Sequence, residues 1–418
     1  MNAADTAVIA RFDNKAVASV GSTGTIIALL VSSLCGIAEG AKIILARTIG
    51  TRNYERCKTV VSTAMITAAI LGSVIAVLGS ILARPMLLAI NCPDDCIDGA
   101  STYLSIYFLA SPIILLYNFG AGIVAISGNS VKPMMYMIIS GATNVVLNVI
   151  FCFILPNKIV AVALATVLGT IVSCILVMRD LIQLENYRLD FKNLKFSISE
   201  CKLIFKIGIP VAFNSALFSI SNLQISSALF KFGSSAIAGN TAATHIESIT
   251  SCVNTAVASA TNAFCGQNLG AKNTDRVKKT IRICLILGVL INVPLSFLLY
   301  AFNEPILSIF VPGDAAAIAF AQYRLRHILL LYGMCIVTSV LASAIQSFGY
   351  TIISSLNSII CVLVFRTIWM TFVYPSFEGS ETMLFVCYSI SWTLQLIATL
   401  VAFIIIFKRY LRGKMRTI

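Results

Sequence analysis

The sequence predicts an all-α polytopic membrane protein made of two parallel-repeat helical lobes. Three observations carry that prediction. First, 58% of the 418 residues are hydrophobic and 11% are charged, where soluble domains show roughly 45–50% and about 25%. Second, Asp, Glu, Lys and Arg are missing from ten runs of at least 20 residues: 16–38, 59–83, 99–131, 133–157, 159–178, 207–230, 248–271, 283–303, 327–365 and 382–407. A helix crosses the hydrocarbon core with about 20 apolar residues. Third, the chain matches itself at an offset of 220 residues, with RTIGTRNYERCKTV (47–60) falling on QNLGAKNTDRVKKT (267–280).

The run 327–365 is too long for one span and carries turn residues at Ser347 and Gly349, so it divides and the count becomes eleven. In the first half the helices are expected at 16–46, 59–83, 99–127, 133–155 and 159–182. The second half supplies six, at 206–232, 236–265, 280–302, 318–346, 351–374 and 382–407. The repeat places Gly50, Asn53, Arg56 and Lys58 on Gly270, Asn273, Arg276 and Lys278, Phe12 on Phe232, and Pro85 on Pro305. An even number of helices per half relates the halves by an axis along the membrane normal. Asp5 then falls on Ile225, so the first half lacks its first helix; the expectation is a late start site or a natural truncation. The lobes are 1–182 and 206–418, joined by a polar, basic cytoplasmic linker at 183–205.

Charge fixes orientation. Of the 30 Lys and Arg, 21 lie in 47–58, 132, 179–206, 272–282 and 408–416, which the positive-inside rule assigns to the cytoplasm together with the C-terminus. The net charge of +13 is therefore a topology signal rather than a nucleic-acid footprint. No phosphate-binding G-x-x-x-x-G-K-[ST] loop and no paired catalytic motif occurs, which argues against ATP as the energy source and against an enzyme. Most of the 13 cysteines are scattered singly in the spans. Cys92 and Cys96 sit together in an outside loop, where a disulfide and two thiols are both compatible with the sequence.

Several stretches resemble the multidrug and toxic compound extrusion (MATE) family: ADTAVIARF (4–12), LARTIG (45–50), YLSIYFLASPIILLYNFGAGIVAISGNSVKP (103–133), GATNVVLNVIF (141–151), AVALATV (161–167) and FSISNLQISSALFKFGSSAIAGNTAATHIES (218–248). The resemblance covers nearly the full length. It implies a V-shaped pair of six-helix lobes that alternates between inward and outward openings. It also implies export of organic cations, drugs or toxic amphipathic compounds in exchange for protons or sodium ions, with no cofactor beyond the coupling ion. Asp5 matches the family's N-lobe acid, and the polar groups around that acid map onto Asn144, Asn148 and Thr166. A lipid-linked oligosaccharide flippase of the same superfamily is the alternative. The reading is completed by a multi-pass cell-membrane location, a small-molecule substrate, the bilayer as surroundings, no nucleic acid and a monomer.

The residues themselves point to the same places. Asp5 is the acid expected to carry the coupling proton, because an ionisable group at membrane depth needs a cavity or a partner. Asn144 and Asn148, with Ser140, share one helical face; such amides serve ion coupling or hold helices together. Ser215, Ser219, Asn222 and Ser226 form one polar stripe, and Asn240, Thr244, Ser248, Ser251, Thr255, Ser259 and Asn262 form another. Water in a cavity accepts such stripes and lipid penalises them; close packing of small residues is the competing explanation. Glu247 is expected to attract a cationic substrate, to serve as a second proton carrier, or to sit at a watery helix end, with His245 about 200° round the same helix. Glu39 and Lys42 are expected to neutralise each other. Arg324 and Arg326 are expected at the outer helix entrance, and Arg366 to need a buried partner. Pro210 is expected to open its helix, and Pro112 and Pro294 to lie inside theirs.

Overall fold

The computed structural model describes residues 8–9, 14–90, 92, 94–377 and 380–412. Those residues are helical almost throughout, and no strand occurs among them. They fall into two compact units that meet in the sequence between Ala212 and Phe213.

The first unit contains α1 (Asn14–Gly50), α2 (Tyr54–Ala89), α3 (Asp94–Leu109), α4 (Ser111–Ile126), α5 (Val131–Ile154), α6 (Lys158–Gln183) and the first part of α7 (Ile198–Ala228). The second contains the rest of α7, then α8 (Ser234–Gly270), α9 (Thr274–Ala301), the short α10 (Asn303–Phe310), α11 (Ala315–Ser347), α12 (Thr351–Phe377) and α13 (Glu381–Leu411). Among the described residues nine helices are long and apolar enough to cross a membrane, or ten when α3 and α4 count as one bent span. The eleventh expected span is α8, a continuous helix of 37 residues whose Ser, Thr and Asn content lowers its hydropathy.

The 220-residue repeat is visible in the backbone. The first residues of α1, α2 and α5 fall on those of α8, α9 and α12, and Gly50 falls on Gly270 at the helix ends. The turn after each first helix is the same structure. Arg52 and Lys272 both adopt a left-handed backbone, with φ 57° and 55°. Asn53 and Asn273 then cap the next helix, each side-chain oxygen accepting from the backbone N–H of Arg56 or Arg276 at 3.0 Å. Gly128 (φ 103°) and Gly349 (φ 89°) mark a second equivalent turn, one residue out of register with the offset. Only glycine meets that conformation without strain.

Two expectations about proline are corrected. The segment expected as one helix at 99–127 is broken, and α3 and α4 meet at 48°. Pro112 lies in the first turn of α4 rather than inside a helix, because a proline ring there would collide with the carbonyl four residues back. Pro210 lies inside α7, which starts at Ile198 instead of near residue 206. That early start is anchored by Glu200 in its first turn, whose carboxylate accepts from Arg56 Nε at 2.7 Å and Nη2 at 3.3 Å. Pro294 lies inside α9 as expected.

Apolar cores hold each unit. In the first, Tyr103, Leu104 and Phe108 of α3 pack with Ala83 and Leu87 of α2 and Ala161 and Val162 of α6; Cys92 and Cys96 are buried in the same core. In the second, Leu325, Ile328 and Leu329 of α11 pack with Ala243 and Ile246 of α8 and Phe385, Tyr388 and Trp392 of α13. Within lipid, close helix approach depends on small residues. Gly40 of α1 and Gly208 of α7 supply one such contact, since a Cβ on Gly40 would strike the backbone of Ile204 and Gly208.

Candidate functional site

The first unit buries one polar cluster between α5 and α6, and the second unit buries two, one joining α8 to α11 and one joining α12 to α13 and α7. In the first unit the stripe on α5 meets a complementary face of α6. Ser140 Oγ donates to the Gly169 carbonyl at 2.7 Å, Asn144 Nδ2 to Thr166 Oγ1 at 3.0 Å, and Asn148 Nδ2 to Asn144 Oδ1 at 3.4 Å. Residues four apart on α5 and three apart on α6 bring these groups level. Asn144, Asn148 and Thr166 are all buried. Asp5 lies outside the described residues, so its place beside this chain of hydrogen bonds stays an expectation. In the same unit Glu39 and Lys42 pair at 2.6 Å, as expected.

In the second unit, Glu247 of α8 is neither solvated nor unpaired. Arg324 of α11 donates to both its carboxylate oxygens, Nε to Oε1 at 2.7 Å and Nη2 to Oε2 at 2.9 Å, and Nη1 donates to Asn240 Oδ1 at 2.7 Å. All three side chains are buried. This corrects the expectation of Arg324 at a helix entrance; Arg326, two residues on, is exposed. Arginine's fork matches a carboxylate, and Asn240 and Glu247, seven apart, share a helix face. His245 points elsewhere and stacks on Phe310, with ring centroids 5.2 Å apart.

Arg366 of α12 is fully buried. Its Nε donates to Ser391 Oγ at 3.1 Å and its Nη1 to Asn222 Oδ1 at 3.1 Å. The guanidinium lies over the ring of Tyr388, 4.2 Å from the centroid, a favourable cation–π distance. The same ring faces the guanidinium of Arg324 at 5.4 Å. The buried partner expected for Arg366 is thus an amide oxygen, with a hydroxyl and a ring beside it. Nη2 has no hydrogen-bond partner among the described residues.

The rest of the polar stripes divides. Asn222 joins the Arg366 cluster, Asn240 and Glu247 join the Arg324 cluster, and Ser215 is half-buried. Ser248 and Thr255 are exposed, Thr244 is half-buried, and their hydroxyls donate to carbonyls of their own helix. The Ser219 side chain lies outside the described residues. Sequence reading missed Ser391 and Tyr388 as neighbours of Arg366 and Arg324 as the partner of Glu247. An arginine in a membrane helix was the available signal for both, because such a charge demands a nearby polar group.

The MatE family model matches residues 1–154 and 210–370. Probable multidrug resistance protein YoeA of Bacillus subtilis is 30% identical over 305 residues, which cover 71% of this chain and 66% of that protein's length. A Shewanella oneidensis protein named FAD transporter is 25% identical over 373 residues, 86% of this chain and 80% of its own. A solved structure described as the outward-facing conformation of a multidrug resistance MATE family transporter superposes with a TM-score of 0.86 at 19% identity, over 97% of this chain and 92% of that one. At that identity the likeness establishes the fold. The chain belongs to the MatE family and, as such, is a multi-pass membrane transporter rather than an enzyme.

Proposed function

We propose that this protein is a secondary active exporter that exchanges amphipathic organic compounds, drugs or organic cations for H+ or Na+ by alternating access of its two lobes. It acts as a monomer in the cell membrane, with its C-terminus in the cytoplasm. The observation that carries the reading is the buried chain Asn148–Asn144–Thr166. Amides and a hydroxyl at membrane depth supply oxygens for a cation and donors for a carboxylate, and Asp5 is the acid assigned to them. An acid in such a place exchanges protons as its surroundings alternate between wet and dry. The substrate contacts proposed are Ser215, Ser219, Asn222, Asn240, Thr244, Glu247 and Ser248.

A second reading, a lipid-linked oligosaccharide flippase, is favoured by one observation, the buried cation Arg366. The relative named FAD transporter likewise makes an anionic cargo worth testing here. The test is efflux from loaded cells expressing the protein, using ethidium and FAD, with protonophore or sodium ionophore added in turn. The export reading expects efflux of at least one compound that stops with one ionophore. Efflux of none, alongside translocation of a lipid-linked sugar in vesicles, would replace it with the flippase.

A further inference from the structure

We propose that Arg366 is an anion-recognition residue that takes the carboxylate or phosphate of an amphipathic organic anion, so that the second unit selects anionic substrates. This deepens the export reading and rests on it.

Arginine keeps its proton in proteins, so a fully buried Arg366 carries its charge out of water. An isolated buried charge is costly unless another charge or a set of hydrogen bonds compensates it. Among the described residues no carboxylate lies within ion-pair distance of Arg366, and the acid in the interior of the neighbouring helices, Glu247, is taken at both oxygens by Arg324. Three groups hold the guanidinium: Ser391, Asn222 and the Tyr388 ring. They orient it and leave the buried Nη2 without a hydrogen-bond partner among the described residues. Counting Arg324, Glu247 and Arg366 together, the cluster around Tyr388 carries one net positive charge.

The backbone marks the same place. Arg366 sits on a four-residue α-helical piece between two π-helical stretches, Ile359–Val364 and Trp369–Val373. Wide turns of this kind recur at functional sites, because they shift a side chain off the regular helix register. Phe218, 5.9 Å from the guanidinium, adds an apolar ring beside the charge. A guanidinium with an unpaired nitrogen and aromatic faces fits an aromatic carboxylate or an aryl phosphate.

The test is binding to the purified chain in nanodiscs of phosphatidylcholine, with carboxyfluorescein and 4-methylumbelliferyl phosphate as anionic probes and ethidium as the cationic control. R366Q is expected to weaken both anionic probes about ten-fold or more, equivalent to about 1.4 kcal/mol, with ethidium unchanged; R366K is expected to fall between. N222D places a carboxylate where the amide now meets Nη1. It is expected to cost the anionic probes as much as R366Q while raising the melting temperature, a pair of effects that a purely structural arginine would not give. Equal anion binding by wild type, R366Q and N222D would overturn the assignment, and so would the absence of anion binding to wild type. Competition by phosphatidylglycerol without affinity for either soluble anion would make the occupant a lipid and overturn the substrate assignment. Ion-driven export is read separately in proteoliposomes. Export with Arg366-independent anion binding sinks this inference alone, and Arg366-dependent binding without export of any probe sinks the export reading and with it the assignment of the anion as a substrate.

Discussion

Arg324 and Glu247 meet through two hydrogen bonds, 2.7 and 2.9 Å long, with both residues less than 10% exposed. The pair ties α11 to α8 at a depth where neither charge has water. Removing one partner leaves the other uncompensated. E247A is therefore expected to destabilise the protein by about 3–5 kcal/mol, seen as a lower midpoint in thermal unfolding of detergent-purified protein. The double variant E247L/R324L should recover most of that loss. A double variant as unstable as the sum of the singles would show that the pair is not the interaction lost.

Asn144 of α5 donates to Thr166 Oγ1 of α6 at 3.0 Å inside the membrane. N144L and T166V are each expected to cost about 1–3 kcal/mol, and together less than their sum, because one bond cannot be lost twice. Both should uncouple transport, cutting ion-driven efflux while leaving substrate binding in place. A double-mutant cycle that adds without interaction would contradict the contact.

Gly40 and Gly141 give a matched comparison. A Cβ at Gly40 meets backbone of α7, whereas one at Gly141 meets nothing within 4 Å. G40A is expected to destabilise by about 1–3 kcal/mol through overpacking, and G141A to be neutral or stabilising by up to about 1 kcal/mol through helix propensity. The melting temperatures of the two variants decide it.

Asp314 caps α11, its carboxylate accepting from the Ala317 backbone N–H at 2.9 Å. That hydrogen bond, with a smaller contribution from Ser235, holds its carboxyl below the usual carboxylate range. Since the folded value lies below the unfolded one, the cap contributes stability above the unfolded value and loses it as pH falls through the folded value. Wild type should lose stability across that acidic window, and D314N, which still caps, should lose less. Identical acid dependence of the two would remove Asp314 from the account.

The fold was legible because its signals are local or periodic. Uncharged runs gave the spans, and Asn53 and Asn273 announced the repeat that the twin caps now display. The contact between Asn144 and Thr166 was legible in part, since helical spacing put the amides of α5 on one face. What escaped depends on distant pairing. Glu247 looked like an available acid because its partner lies 77 residues away, and Arg366 found Asn222 across 144 residues. No periodicity reports such a meeting. The long start of α7 escaped for a similar reason, since the tie from Glu200 to Arg56 spans 144 residues. On α8 the hydroxyls of Ser248 and Thr255 donate to carbonyls of their own helix.

The most direct test of ion-coupled export is substrate movement in proteoliposomes holding the purified protein, with a pH gradient or a sodium gradient imposed and ethidium, FAD and carboxyfluorescein supplied in turn. The account predicts that at least one compound accumulates above its equilibrium level under one of the gradients, and that the accumulation collapses when the matching ionophore is added. Movement of every compound only to equilibrium, or none under either gradient, would contradict it.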